Sequence, residues 1–379
     1  MNLHQLWLIT RYSFTEIWRN KTFRVAFMVL IPLLIAYQVS FQSDMFNIPV
    51  EYTLVLSSFI PTQNAYMFNL LLVFPLATMG FWVHKQKKYN TLEALLVHPQ
   101  GNDTYSTGFI LGIIIAFMIM GSISLALAGL INLFASPTSF QPLIYLFYLV
   151  TLFLPTIVFV VGITSFLAAR CFKNGTVTTF FMLVYLSVDI LFLSTLYHGL
   201  FDPLGILLPY TFSGFTGMAD LPGFLLHRTT FLLLGIGFIT LAISGLPRIP
   251  NKINGRQRAV CSGILLLFVG LLAGFIMYNH HEQVERRHAL YESVYEKHDS
   301  PNKMNIITHD IRFTYQEKQA HVESRISLHN PTGTNLSKII LYLNPSLEVT
   351  SIQENLSPVP FTREAQAIVI SRPVSPGDT

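Results

Sequence analysis

The chain has 379 residues, of which 51% are hydrophobic and 12% charged, with 31 Phe, 16 Tyr and a formal net charge of +4. A soluble domain carries roughly a quarter of its residues as charges, so this composition excludes an ordinary water-soluble enzyme and points to a membrane protein. The basic excess is confined to residues 1–279 and scattered between apolar runs, where anionic lipid head groups attract it; no nucleic-acid partner is expected.

Residues 3–19, "LHQLWLITRYSFTEIWR", set Leu3, Leu6, Trp7, Phe14, Ile17 and Trp18 on one helical face. Tryptophans opposite arginines suit an amphipathic helix lying in the membrane interface; the alternative is a plain extension of the first span. Apolar runs long enough to cross the hydrocarbon core follow at about 22–40, 62–83, 108–134, 142–168, 176–197, 228–247 and 259–278. Lys and Arg cluster before the first run, after the second (Lys85, Lys87, Lys88), after the fourth (Arg170, Lys173) and after the sixth (Arg248, Lys252, Arg256, Arg258), whereas 41–60, 135–141 and 198–227 contain none. Cytoplasmic loops retain basic residues, so the N-terminus is expected inside and everything after residue 279 outside. Cys171 and Cys261 both fall at inner ends of spans, where no structural disulfide is expected.

Between the second and third runs lies "HKQKKYNTLEALLVHPQG", residues 84–101. Asn90 can cap a helix and Glu93 completes a capping box. Leu92, Leu95 and Leu96 form a compact apolar face, and Pro99 stops the helix. So short a helix is unstable alone in water; it needs a receptor surface in the cytosol, or else it folds back on its own bundle.

Within the spans the one central ionisable residue is Asp189, in "LVYLSVDILFL", the sixth run being placed from residue 228. A carboxylate there either faces a pathway or a second subunit, or hydrogen-bonds neighbouring Tyr or Ser residues as a packing element. Residues 198–227 are too apolar for a free loop and, with Pro203, Pro209 and Pro222 and five glycines, too broken for a span. Re-entrant or outer-surface helices are expected, or a hydrophobic loop packed on the bundle's end.

Past residue 279, "HHEQVERRHALYESVYEKHD" reads as a helical stalk. His281, Glu285 and His288 share one face there, a possible divalent-metal trio or simply a solvated stalk face. From about 306, alternating runs ("IITHDIRFTY", "HVESRISLHN", "KIILYLN", "LEVTSIQ", "AIVIS") separated by turn formers predict a small β-sandwich; its strands run to the last residues, so a further strand is expected beyond them. Neither a G-x-x-x-x-G-K-[ST] phosphate loop nor an H-E-x-x-H zinc motif occurs in the sequence, so the chain is not expected to be an enzyme, and no catalytic, cofactor or metal residues are assigned to it.

The interfacial helix, the two spans and the loop "NTLEALLVHP" resemble the permease subunits of type 2 exporters among the ATP-binding-cassette (ABC) transporters. The resemblance covers about residues 1–250. It implies that Asn90, Thr91, Leu92, Glu93, Leu95, Leu96 and Pro99 belong to a coupling helix that docks into a separate ABC ATPase subunit, which holds ATP and Mg. The acidic residue usual upstream of this motif and the arginine usual after the proline are replaced by lysines and "QGNDTYSTG". The resemblance further implies a second permease copy (homodimer or paralogue), an exported substrate and a bacterial inner membrane. The segments "LHNPTGTNLSKIILYLNPSLEVTSI" and "PVSPGD" resemble the start of the N-terminal β-domain of aminopeptidase N-like zinc peptidases. The expected fold is therefore mainly α, a polytopic α-helical membrane protein: interfacial helix 1–21, six-span exporter-type domain 22–247, loop and seventh span 248–279, stalk 280–304, and a small all-β outer domain over 305–379, incomplete as it stands. The alternative function is a membrane anchor for a peptidase-like or scaffolding outer module, with no transport role.

Overall fold

A computed structural model describes residues 3–42, 60–72, 102–135, 140–205, 212–213, 217–218, 220–244, 253–300, 302–316, 319–355 and 357–378. Two compact units result, Met1–Asn279 and His280–Thr379. The coupling-loop residues Asn90, Thr91, Leu92, Glu93, Leu95, Leu96 and Pro99 lie outside the described residues.

The first unit is helical. α1 (Leu3–Arg19) ends where Asn20 turns the chain into α2 (Lys21–Gln42), the Asn20 side chain accepting from the Thr22 N–H at 2.8 Å as a helix cap does. The next helical stretch, α3, is described over 60–72. Then come α4 (Asn102–Ala135), α5 (Pro142–Cys171), α6 (Gly175–Leu191), α7 (Leu221–Ser244) and α8 (Ile253–His298). Among the described residues five helices, α2, α4, α5, α7 and α8, are long and apolar enough to cross a membrane, and the 17-residue α6 is a shorter apolar helix. The protein is membrane-embedded. Both cysteines are free thiols.

Small residues let these helices touch. A Cβ at Gly162 of α5 would stand 2.4 Å from the carbonyl oxygen of Gly235 on α7, and one at Gly235 would stand 2.7 Å from the Phe159 backbone. Lipid supplies no hydrophobic push between helices, so close van der Waals contact of this kind holds them together. Gly108 and Gly112 do the same for α1, whose Ile9 and Ser13 press on them. α1 is thus clamped to α4 by its Ile9–Ser13 side, with Ile17 buried one turn further on. Of the expected apolar face, Ile17 is buried and Phe14 and Trp18 pack on the core, Trp18 stacking on Phe14 and touching Phe23 and Phe27. Leu3 and Trp7 instead point outward, Trp7 beneath the Arg11 guanidinium at 5.4 Å.

The stalk prolongs the last span as expected, the two forming one unbroken 46-residue helix, α8, that ends at His298. Two expectations need correction. The sixth span begins at Leu221, seven residues earlier than its apolar run. Among the described residues of 198–220 no α-helix forms: a 3-10 turn (Leu193–Gly199) leads into a buried non-helical stretch through residue 205 and a two-residue β1–β2 pairing (Phe212–Ser213, Gly217–Met218).

In the second unit β3 (Asn305–Gln316) and β4 (Gln319–His329) form a long antiparallel hairpin. One face carries Ile311, Phe313, Tyr315 and Val322, each more than half exposed. β5 (Ile339–Tyr342), β9 (Ala367–Ile370) and β8 (Phe361–Glu364) form a three-stranded sheet in the order β5-β9-β8, and β6 (Gln353–Glu354) pairs with β7 (Ser357–Pro358). The run "LEVTSIQ" is expected as a strand, but only its last residue, Gln353, falls in one, with the Ile352 carbonyl accepting from the Val359 N–H beside it. Arg363 donates to the carbonyls of Asn344 (2.9 Å) and Leu347, and Asn344 caps Ser346, which holds the start of that run as a loop. Asn330, fully buried, donates to the carbonyls of Thr334, Val374 and Ser375 and accepts from Thr332, so it joins the two stretches "NPTGT" and "PVSP". The end of α8 is fastened to the sheet: Lys297 Nζ meets both Glu364 oxygens at 2.7 and 2.9 Å, and the buried His298 Nε2 lies 3.0 Å from Oε2.

Candidate functional site

The first unit holds a buried polar cluster where α5, α7, α3 and the 199–205 stretch meet. Its centre is Arg228, eighth residue of α7 and 1% exposed. At 1.5 Å per residue it sits about 10 Å along the helix, too deep to reach out from the end. α5 supplies its acceptors. Pro155 has no N–H, so the Thr151 carbonyl four residues back lacks its helical donor, and here the helix widens into a π-turn (Leu149–Phe153). Such turns recur at functional sites. Arg228 Nε donates to the Thr151 carbonyl at 3.0 Å, and Nη2 to the Leu152 carbonyl at 3.1 Å, Thr156 Oγ1 at 2.7 Å and the Pro203 carbonyl at 3.3 Å.

The 199–205 stretch is held by the same groups. Thr156 Oγ1 donates to the Pro203 carbonyl at 3.0 Å, Asn69 of α3 donates to the Leu204 carbonyl at 2.6 Å, and His227 Nε2 donates to the Gly199 carbonyl at 2.9 Å. Non-helical backbone is stable at membrane depth only when its polar groups find partners inside the protein, and these side chains are those partners. Asp202, fully buried, accepts from the Gly205 N–H at 2.8 Å. Gly205 has φ +69°, and a Cβ there would stand 2.9 Å from Arg228 Nη1, so both backbone shape and space call for glycine.

Asp189 joins this cluster. α6 starts at the Asn174 cap and buries Gly175, Thr178, Met182, Leu186 and Asp189, one stripe at three- and four-residue spacing. Asp189 is fully buried and interacts electrostatically with Asp202 and Tyr185. Neither of its carboxylate oxygens accepts a hydrogen bond from a described residue. The expected packing role, a hydrogen bond to neighbouring Tyr or Ser, is therefore not made; Ser194 gives its hydroxyl to the Ile190 carbonyl instead. Arg228 was missed because a span drawn from residue 228 makes it a boundary residue. The available signal was Pro155 in an apolar run, which frees a carbonyl that some donor must satisfy. Along α8, His281, Glu285 and His288 do not converge as a metal site among the described residues.

No family model matches the chain, and no curated protein is significantly similar to it. The reading of function therefore starts from the residues.

Proposed function

We propose that the chain is the transmembrane permease subunit of an ATP-driven ABC-type exporter, coupled through loop 84–101 to a separate ATPase subunit. One observation carries the reading: the sequence "NTLEALLVHP", whose cap-forming Asn90, apolar Leu92, Leu95 and Leu96 and helix-stopping Pro99 follow a run of lysines between two apolar runs. A pure anchor has no use for a docking helix there. The clamp of α1 on α4 and the buried broken segment before α7 support the same reading. In it the chain crosses a bacterial inner membrane seven times, with its N-terminus inside and the 280–379 unit outside, and pairs with a second permease copy to enclose a pathway.

The test uses the full chain purified from its native membrane. In the exporter reading an ATP-hydrolysing subunit co-purifies, and its ATPase activity rises in the complex. The double change Leu92→Ala and Leu95→Ala should abolish that coupling while membrane insertion stays intact, since truncating a packed interfacial hot spot costs more than about 1 kcal/mol each. Survival of both association and coupling in the double variant defeats the proposal. The β unit favours the second reading, an anchor for a peptidase-like or scaffolding module, because the Asn330-centred junction brings together the two peptidase-like stretches. An active outer module with no ATPase partner would select it.

A further inference from the structure

We propose that the basic elbow between α1 and α2, flanked by the outward aromatic face of α1, binds the head group of an anionic phospholipid. The inference goes beyond the exporter reading and does not rest on it. Loss of ATPase coupling leaves it untouched, and its own failure leaves the docking helix untouched.

Two contacts hold α1 at the edge of the membrane. Asn20 alone separates it from α2, which can cross the membrane from Lys21 onward. Its Ile9–Ser13 side presses on Gly108 and Gly112, near the start of the membrane-crossing helix α4. The same contacts decide which side of α1 faces away. Phe14, Ile17 and Trp18, which would meet lipid in an unattached amphipathic helix, are turned to the bundle core. The outward side instead shows Leu3, Trp7, Leu8 and Tyr12, with Trp7 54% and Tyr12 67% exposed. Amphipathic rings of this kind settle at head-group level. Apolar side chains interleaved with cations match an amphiphile, whereas a free phosphate ion has no use for them.

Charge selects the lipid. Arg11, Arg19, Lys21 and Arg24 are all exposed. Arg24 Nη2 donates to the Arg19 carbonyl at 3.2 Å, which folds its guanidinium back across the elbow. Three cations are thereby gathered around the Asn20 turn. The one acid between residues 3 and 24, Glu16, is half-buried and acts electrostatically on Tyr105 of α4. Four cations against one carboxylate leave the segment with three positive charges at the level where head groups lie. A phosphodiester offers paired oxygens that a guanidinium fork meets in one plane. Because α4 already holds α1 in place, little ordering is needed when the lipid arrives. A zwitterionic lipid would bring its own cation into this patch, so an anionic head group is the better fit.

The test uses the full chain in phosphatidylcholine nanodiscs into which phosphatidylglycerol is titrated, with lipid retained by the protein counted by native mass spectrometry. Wild type should retain phosphatidylglycerol in preference to phosphatidylcholine, and high salt should shrink that preference. Changing Arg19→Gln, Lys21→Gln and Arg24→Gln together should weaken retention on the order of a hundredfold, about fivefold for each basic residue. Arg256→Gln with Arg258→Gln, two arginines equally exposed at the start of α8, is the control and should keep the preference. A second readout covers a triple variant that fails to fold: the wild-type unfolding midpoint should rise as phosphatidylglycerol replaces phosphatidylcholine, because a ligand of the folded state stabilises it by mass action. Equal retention of the two lipids by wild type overturns the proposal, and so does a loss in the control as large as in the triple variant. Dimers that dissociate on changing Trp7→Ala and Tyr12→Ala, without any lipid preference, would assign this face to a second copy and overturn it too.

Discussion

Replacing Arg228 tests the architecture of the buried cluster. Arg228→Met keeps much of the length and apolar bulk but removes every donor. Of the four acceptors, the Pro203 carbonyl keeps Thr156 Oγ1 as a donor at 3.0 Å, and Thr156 keeps that same bond. The Thr151 and Leu152 carbonyls on the π-turn are the acceptors that lose most, because Pro155 supplies no N–H to Thr151. Hydrogen bonds to a charged group contribute about 1.5–3 kcal/mol each, so two give roughly 3–6 kcal/mol before the relief of desolvating a guanidinium is credited. The expected loss is therefore about 3–5 kcal/mol of bundle stability. Arg228→Lys should lose less, since it keeps the charge but gathers its donors at one point instead of a planar fork. Reversible unfolding in mixed micelles, followed by helical circular dichroism, measures both. An Arg228→Met bundle within about 0.5 kcal/mol of wild type, the range of an ordinary surface change, would refute the view that Arg228 organises α5, α7 and the 199–205 stretch.

Gly162→Ala should destabilise the bundle by about 1–3 kcal/mol, the usual size of overpacking, because its Cβ would enter the 2.4 Å gap to Gly235; Gly274→Ala, whose Cβ meets only Thr230 at 3.8 Å, is the matched control and should be near neutral in the same unfolding assay. In the second unit, Lys297 first and His298 second hold the Glu364 carboxyl below the ordinary carboxylate range. A depressed carboxylate contributes stability above its unfolded pKa and loses it as pH falls through its folded pKa, so amide exchange at the end of α8 should quicken under acid conditions in wild type and lose that dependence in Glu364→Gln. Cysteines placed at Ser43 and Ser351 should label from outside the membrane and one at Asn102 from inside; external labelling of Asn102 would invert the proposed orientation.

The membrane class and the long helices were legible in the sequence because they depend on summed apolarity, which survives errors of several residues at each end. Where a boundary mattered, the same method failed. Placing the sixth span from residue 228 hid Arg228, while α7 begins at Leu221 since Asp220 accepts from the Gly223 N–H at 3.1 Å and opens the helix there. Asp189 was legible as an intramembrane charge, but its neighbours were not, because Asp202 and Arg228 are brought to it by a non-helical stretch whose path no periodicity encodes. The strand "LEVTSIQ" was misread because alternation registers side chains only, and the segment's start is decided by Arg363 capturing the carbonyls of Leu347 and of Asn344 just before it.

The location of the cluster follows from one local constraint. A proline within α5 removes a donor, and the helix answers by widening into a π-turn that turns carbonyls inward. In water those carbonyls would be hydrated; inside a bilayer they need a protein donor. Arg228 meets that need with two of its nitrogens, and its own cost of burial is offset only because the acceptors come as a set from α5 and the 199–205 stretch. That stretch can in turn leave helical geometry at depth because Asn69, Thr156 and His227 take its carbonyls. The irregular backbone and the buried charge therefore require each other, and removing either leaves the other without partners. Two charged members of the cluster keep buried atoms without a partner among the described residues, both carboxylate oxygens of Asp189 and Nη1 of Arg228.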